Sequence, residues 1–391
     1  MAGHETPELV EVYLDHAAST PLRESARQAW LDTSQQHHAN PTGSHRAARA
    51  ARRALDDARD QIAAALQRPS SELVFTSGGS EADNLAVRGV LYAAGGLAVC
   101  SAGEHHAVLE PVETAGGVTV GLEADGSVSP ERLAAVLDAH GGEVSVVSII
   151  AVNNETGVIN DIPALVEVTR RHAPGAVFHT DAVQALPWCE LDVLAADADL
   201  VSITGHKCGG PVGTGALFVS SEVSLSPLIL GGGQERARRA GTPDVAGAAA
   251  FAAAVDETVK ERSLEIARLG ALRDRLIEGL VDHLGAVVTP TVLGGGANVA
   301  AGFAHVCLAE VEAEALLFLL DVAGVRASAA SSCSSGAQDP SHVLAAMGIA
   351  REVAQGSLRL SLGHSTTSAD IEQAIDRIPP VVERLRNHGG G

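Results

Sequence analysis

Lysine is nearly missing from this chain. Of 27 basic residues in 391, two are lysines, Lys207 and Lys260, so arginine carries almost all of the positive charge. Positive charge is itself short, because 48 acidic residues leave a net charge of −21. That balance argues against nucleic acid or an anionic membrane as the main partner. No apolar run approaches the ~18 residues of a membrane span. The opening stretch MAGHETPELVEVYLDH is acidic where a secretory leader would be basic and then apolar, so the cytoplasm is the expected compartment. The five cysteines, Cys100, Cys189, Cys208, Cys307 and Cys333, are scattered without a C-x-x-C pair. Such spacing argues against a disulfide framework or a cysteine-built zinc site. A cysteine that matters here is expected to be a reduced, reactive thiol. The histidines show no H-E-x-x-H or comparable ligand spacing either, so a metal-dependent hydrolase has no support.

What is present describes a folded protein: 46% hydrophobic and 19% charged residues, in a chain long enough for one large domain and a smaller one. Between about residues 70 and 220, short apolar runs alternate with amphipathic stretches. ELVFTS, LAVCSA, VSVVSIIAV, AVFHTD, ADLVSIT and TGALFV read as strands. SEADNLAVRGVLYAA, HHAVLEPVETA and DIPALVEVTRRHA read as the helices between them. This alternation predicts an α/β fold with a mainly parallel sheet between helices. After residue 245 a long helix is expected over roughly 247–284. The strands ANVAAGFAHVC and GSLRLSLG and two further helices follow, as in a smaller α+β C-terminal domain. The expected division is a large domain over residues 15–260 and a small one over 261–391, joined by residues 1–14.

Ligands of open α/β sheets bind at the carboxyl ends of the strands, and the unusual polar residues fall there. LVFT is followed by Ser77, Gly78, Gly79 and Ser80, and AVCSA by Glu104, His105 and His106. SIIAV leads to Asn153, Asn154 and Glu155, AVFHT to Asp181 and Gln184, and LVSI to Thr204, His206 and Lys207. Each has a plain structural reading. Ser80 with Asp83 fits a capping box, Asp181 could close a turn, and Lys207 could lie on the surface. Together they offer a helix N-terminus for phosphate, an aspartate, a histidine and a lysine that can lose its proton, a task arginine cannot perform. Pyridoxal phosphate needs this set: a Schiff-base lysine, an aspartate at the ring nitrogen and donors for the phosphate.

The chain resembles cysteine desulfurases (the NifS/IscS-like group), pyridoxal-phosphate enzymes of the aminotransferase class V group. The likeness runs through YLDHAASTP, NPTGSH, FTSGGSEADNLAVRG, EHHAV, NNETG, HTDAVQA, GHKCGGPVGTGALFV, GGGQERARRAGTPD, SSCSSGAQDPSHVLAAMG and SLRLSLGHSTT. It implies the fold called type I among pyridoxal-phosphate enzymes. It makes Lys207 the cofactor lysine, and places His105 on the ring as a proton shuttle and Asp181 on the ring nitrogen. Gln184 and Asn154 would hold the ring hydroxyl and the substrate end, and Gly79, Ser80, Thr204 and His206 the phosphate. Thr242 would reach the phosphate of a second subunit, which implies a homodimer.

The alternation in SLRLSLG sets Leu358, Leu360 and Leu362 against Ser357, Arg359 and Ser361, as in a strand with one buried face. A guanidinium on the other face can clamp the substrate carboxylate. Cys333 lies in ASAASSCSSGAQDPSH, a small, polar stretch that reads as a loop. The other cysteines lie in or beside apolar runs, except Cys208, which follows Lys207 and is read as packing. The resemblance therefore implies sulfur removal from L-cysteine, giving L-alanine and a persulfide on Cys333. That sulfur would pass to an acceptor protein of iron–sulfur cluster assembly or tRNA thiolation. A selenocysteine lyase or another C–S lyase is the alternative. The chain departs from the common family pattern at Val212, at Thr204 and in the AASSC run, none of which removes a required group.

Overall fold

The computed structural model describes residues 11–292, 298–329 and 341–389. Twelve strands are present among them: β1 Val12–Tyr13, β2 Leu73–Thr76, β3 Leu97–Ser101, β4 Val118–Val120, β5 Val144–Ser148, β6 Val177–Asp181, β7 Leu200–Thr204, β8 Gly215–Val219, β9 Val288–Pro290, β10 Phe303–Leu308, β11 Val325–Arg326 and β12 Ser357–Ser361. Seven form one sheet in the order β2-β8-β7-β6-β5-β3-β4. Neighbours are parallel except for β8, which runs antiparallel to both β7 and β2. Two reversals restore the direction, so β2, β3, β5, β6 and β7 all end at the same edge.

The sheet is buried on both sides, and the pleat explains its sequence. Successive side chains point to opposite faces. Val147, Val201 and Phe218 belong to one core, while their chain neighbours Val146, Leu200 and Leu217 belong to the other. Near-continuous apolar runs are what a doubly covered sheet requires. Helix Gly79–Ala94 covers one side with Leu85, Ala86 and Val90. Helices Arg46–Ala65 and Ile162–His172 cover the other with Leu55, Ile62, Leu165 and Val166.

A third core is built from later residues plus the chain start. Val12 and Leu14 pack with Leu276, Leu280, Val306, Leu358, Leu360 and Ile375. Its strands form the sheet β12-β10-β9 and the pair β1-β11. One helix, Val245–Leu284, serves both regions: Phe251 and Val255 enter the first core, Leu269 and Leu276 the third. At 40 residues and ~1.5 Å per residue it is about 60 Å long.

The structure departs from the pattern-based expectation in several places, beginning with β4, which no apolar run announced. The run 144–152 is strand only as far as Ser148, because Ile150, Val152 and their neighbours turn to deliver the polar groups. The strand expected from residue 297 begins at Phe303. And β12 has no exposed face: Ser357, Arg359 and Ser361 are as buried as the leucines between them. The alternation there separates a hydrophobic core from a polar cleft, not a core from solvent. Among the described residues, no helix is long and apolar enough to cross a membrane.

Candidate active site

At the shared strand edge lies a cleft of about 460 Å³. Gly79, Ser80, His105, Asn154, Asp181, Gln184, His206, Lys207 and Arg359 all line it. Two described residues expected at the site, Thr204 and Thr242, do not. Thr204 is buried behind His206, its hydroxyl 3.1 Å from His206 Nδ1 and donating to the Thr214 carbonyl at 2.9 Å. Thr204 therefore contacts His206, which does line the cleft. Thr242 is exposed and lines a second cleft, which shares Ser77 and Gly213 with the first. Cys333 lies outside the described residues.

The phosphate end begins where β2 stops. Gly78 has φ +149° and ψ −178°, a conformation essentially reserved for glycine. It turns the chain so that a helix can start at Gly79, whose missing side chain leaves room for Val183: a Cβ there would lie 2.6 Å from Val183 Cγ2. No side chain caps this helix, so the capping box expected of Ser80 and Asp83 is not formed. Asp83 points instead into the protein, 1% exposed. The uncapped N–H groups of the first turn suit an anion. Beside them the Ser77 N–H donates to Glu81 at 2.7 Å, and Glu81 pairs with Arg239 at 2.8 Å.

At the other end three carboxyls are buried together. Burial, opposed by a hydrogen bond from the Val183 N–H and by the Lys207 charge, raises Asp181 to about 6. Burial, reinforced by repulsion from Asp181, holds Asp83 and Glu104 well above the usual carboxyl range. Asp181 is thus the member of the trio best placed to carry charge near neutrality, on the wall that also holds Lys207. His105 caps the helix His106–Thr114 by accepting the Ala107 N–H on Nδ1 at 3.1 Å, which leaves its proton on Nε2. Burial and the Lys207 charge lower it to about 4, so it is neutral. Burial and Lys207 likewise lower His206 to about 4.

The stretch Asp15–Thr20 forms a strap across the cleft floor. Lys207 Nζ donates to the Ala18 carbonyl at 2.9 Å and also to the Ala17 carbonyl. Gln184 donates to the Ala17 carbonyl at 2.7 Å. Arg359 Nη1 donates to the Asn154 carbonyl at 2.8 Å, and Nη2 to Asp15 at 2.8 Å. Lys260, the other lysine, lies on the surface paired with Asp256 at 2.6 Å. Among the described residues no group of histidine, cysteine and carboxyl side chains is placed to hold a metal ion.

The four described cysteines are buried. Burial pushes Cys189 and Cys208 up to about 12, and raises Cys100 and Cys307 as well. A buried thiol is a poor nucleophile, which agrees with reading Cys208 as packing despite its place beside Lys207.

This donor set fits pyridoxal phosphate: N–H groups, Ser80 and His206 for the phosphate, an anionic carboxyl for the ring nitrogen, an amine, and a flat neutral imidazole. The buried Asn154 Oδ1 has no partner among the described residues, as an acceptor awaiting a ligand donor would. Fold and cleft together define a class of cofactor-dependent α/β enzymes, and the comparisons with known proteins make it specific. The chain belongs to the aminotransferase class-V family, whose model matches residues 12–374, and this family is pyridoxal-phosphate-dependent. It is 41% identical to an IscS-like cysteine desulfurase of Mycobacterium tuberculosis, over 96% of this chain and 97% of that one. A NifS-like protein of Rickettsia africae matches with a TM-score of 0.87 and 29% identity, covering 95% and 99% of the two chains. The structure of SspA in complex with cysteine matches at 0.76 and 29%, covering 90% and 98%.

Asp15 and Asp83, the latter read only as a capping partner, also line the cleft, and near it His342 sets its ring 4.9 Å from His106 and its Nε2 2.9 Å from the Glu104 carbonyl. Asp15 stood inside a recognised motif, YLDHAASTP, but only the fold reveals that it meets a residue 344 positions away.

Proposed function

We propose that the protein is a pyridoxal-phosphate-dependent cysteine desulfurase that removes sulfur from L-cysteine. The observation that carries this reading is the single cleft in which Lys207, Asp181, His105 and Arg359 face one another, in a chain similar over nearly its whole length to cysteine desulfurases. Bound through Lys207, the cofactor supplies an electron sink that weakens bonds at the substrate's Cα and Cβ. The first-turn N–H groups, Ser80 and His206 hold its phosphate, and Asp181 keeps a proton on the ring nitrogen. Arg359 binds the substrate carboxylate. Once the substrate's amine has displaced it, Lys207 Nζ would be free to take the Cα proton, and the neutral His105 would hold a proton at Nε2 for the reacting end. Cys333, as a thiolate, attacks the substrate sulfur; the Cβ–Sγ bond breaks, leaving L-alanine and a persulfide for an acceptor protein.

Thr242, exposed beside Ser77 and Gly213, supports a homodimer in which it reaches the phosphate bound by a second copy. The third core, with Val12 and Leu14 in it, supports the division into a unit of residues 15–260 and one of 261–391 with 1–14. The cytoplasm is the compartment that suits a reduced thiol.

Purified protein supplied with pyridoxal phosphate is expected to absorb visible light, to lose that band in Lys207→Ala, and to change spectrum with L-cysteine as alanine appears. A protein that stays colourless overturns the cofactor. Cys333→Ser should keep the colour and form no persulfide; undiminished sulfur release by it overturns the role of Cys333 and favours another C–S lyase.

A further inference from the structure

We propose that Asp15 is an internal stand-in for the substrate's carboxylate: it occupies Arg359 between turnovers and exchanges with the incoming amino acid. This inference rests on the assignment of Arg359 to carboxylate binding. Three observations carry it. Asp15 and Arg359 both line the cleft and are paired at 2.8 Å. The two partners differ in access: the Arg359 side chain is 6% exposed, that of Asp15 24%. An arginine so buried is costly to leave without a counter-charge, whereas the aspartate can turn toward water. Asp15 is therefore the partner that can leave.

The third observation is the use of the guanidinium. Its Nη1 is anchored on the Asn154 carbonyl and its Nη2 on Asp15, while the buried Nε–H has no partner among the described residues. Nε–H and Nη2 point the same way and form one edge, the edge that grips a carboxylate with two parallel bonds. Asp15 occupies Nη2, one of the two nitrogens of that edge. A substrate carboxylate that takes it over gains the idle Nε–H as well, so exchange adds a hydrogen bond and keeps Arg359 neutralised throughout. The reverse exchange expels the product, which carries the same carboxylate.

The anchoring of the strap makes this exchange local. Asp15 is joined to β12 through a backbone bridge to Ser361, and its carbonyl accepts the N–H groups of Ala18 and Ser19. The side chain can rotate without moving the carbonyls of Ala17 and Ala18 that Lys207 contacts.

The test is to measure L-alanine binding to the holoenzyme by its spectral change, and KM and kcat for L-cysteine, in wild type, Asp15→Asn and Asp15→Glu. Asp15→Asn is expected to bind L-alanine more tightly and to lower KM, each by about fivefold, the scale of one partly exposed charge contact. Its kcat should fall or stay level as product leaves more slowly. Asp15→Glu, which keeps the competing charge, should resemble wild type. Cysteamine, which lacks the carboxylate, should bind all three alike. Unchanged or weaker L-alanine binding in Asp15→Asn overturns the proposal, as does equal tightening of cysteamine or tightening in Asp15→Glu. Should Asp15→Asn fail to fold, Asp15→Ser replaces it with the same expected direction. Failure of the underlying assignment looks different, because wild type itself would then show no L-cysteine turnover and no response to L-alanine.

Discussion

Two turns beside β2 solve the same backbone problem with opposite residues. At Ser77–Ser80 the chain uses Gly78 at φ +149°, where a Cβ would meet open space, and Gly79 where one would strike Val183. At Glu235–Ala237 three successive residues adopt φ of +46°, +56° and +62° without any glycine. Each such residue costs roughly 1–2 kcal/mol, so outside contacts must hold the second turn. They are visible. Glu235 makes a two-bonded pair with Arg59, 5% and 7% exposed, and accepts the Phe75 N–H at 2.9 Å. The first turn is shaped by local permissiveness, the second by a distant carboxylate. Arg239 joins them through Glu81. Glycine leaves backbone N–H groups open for a ligand, while the strained turn is fastened by the side chain of Glu235.

The contrast can be broken most severely at Glu235. Glu235→Ala strands the buried Arg59 and releases the strained turn, and should cost about 3–5 kcal/mol, read as a fall in the urea midpoint. A loss below about 1 kcal/mol would mean that the turn holds itself, since that is the scale of an exposed pair. Gly79→Ala comes next. Its Cβ pushes Val183, whose N–H holds Asp181, so about 1–3 kcal/mol of stability should go together with affinity for pyridoxal phosphate, measured by titrating apoprotein. Ala237→Gly should act in the other direction, raising stability by about 1 kcal/mol as the left-handed cost disappears. The equivalent change at a position with negative φ would lower it.

The smallest effect tests the bridge between the turns. Burial opposes ionisation of Glu81, but Arg239 and Ser77 outweigh it and hold the carboxyl below its usual range. A depressed carboxyl contributes stability that is fully present above its unfolded pKa and is lost as pH falls through the folded value. Thermal melts of wild type should therefore fall toward acid more steeply than those of Glu81→Gln, by under about 1 kcal/mol. Parallel curves would remove Glu81 from the account.

The difference between the turns also explains what was legible in the sequence. Gly78 and Gly79 announced a turn because a residue without a side chain signals its own conformation. Nothing in QERARRAG announces a left-handed turn, since the cause lies in Arg59, 176 positions away. The same distinction runs through the fold. Six of the seven strands of the large sheet could be read from their apolar runs, all but the three-residue β4, and the strand-end residues from their position. The reversal of β8, the burial of Arg359 on a polar face and the inward turn of Asp83 could not, because each is decided by what packs against it. The contact of Thr204 with His206 and with the Thr214 carbonyl was not legible either, because strand spacing does not encode which layer a side chain occupies.

One feature of the core reaches into how the protein can be handled. With Cys100, Cys189, Cys208 and Cys307 sealed among apolar side chains, brief iodoacetamide treatment of the native protein should leave at most one adduct in its mass spectrum, and unfolding should raise the number to five. Adducts on those four sulfurs therefore count open molecules, so the protein carries its own chemical clock for unfolding, readable by mass without any added reporter.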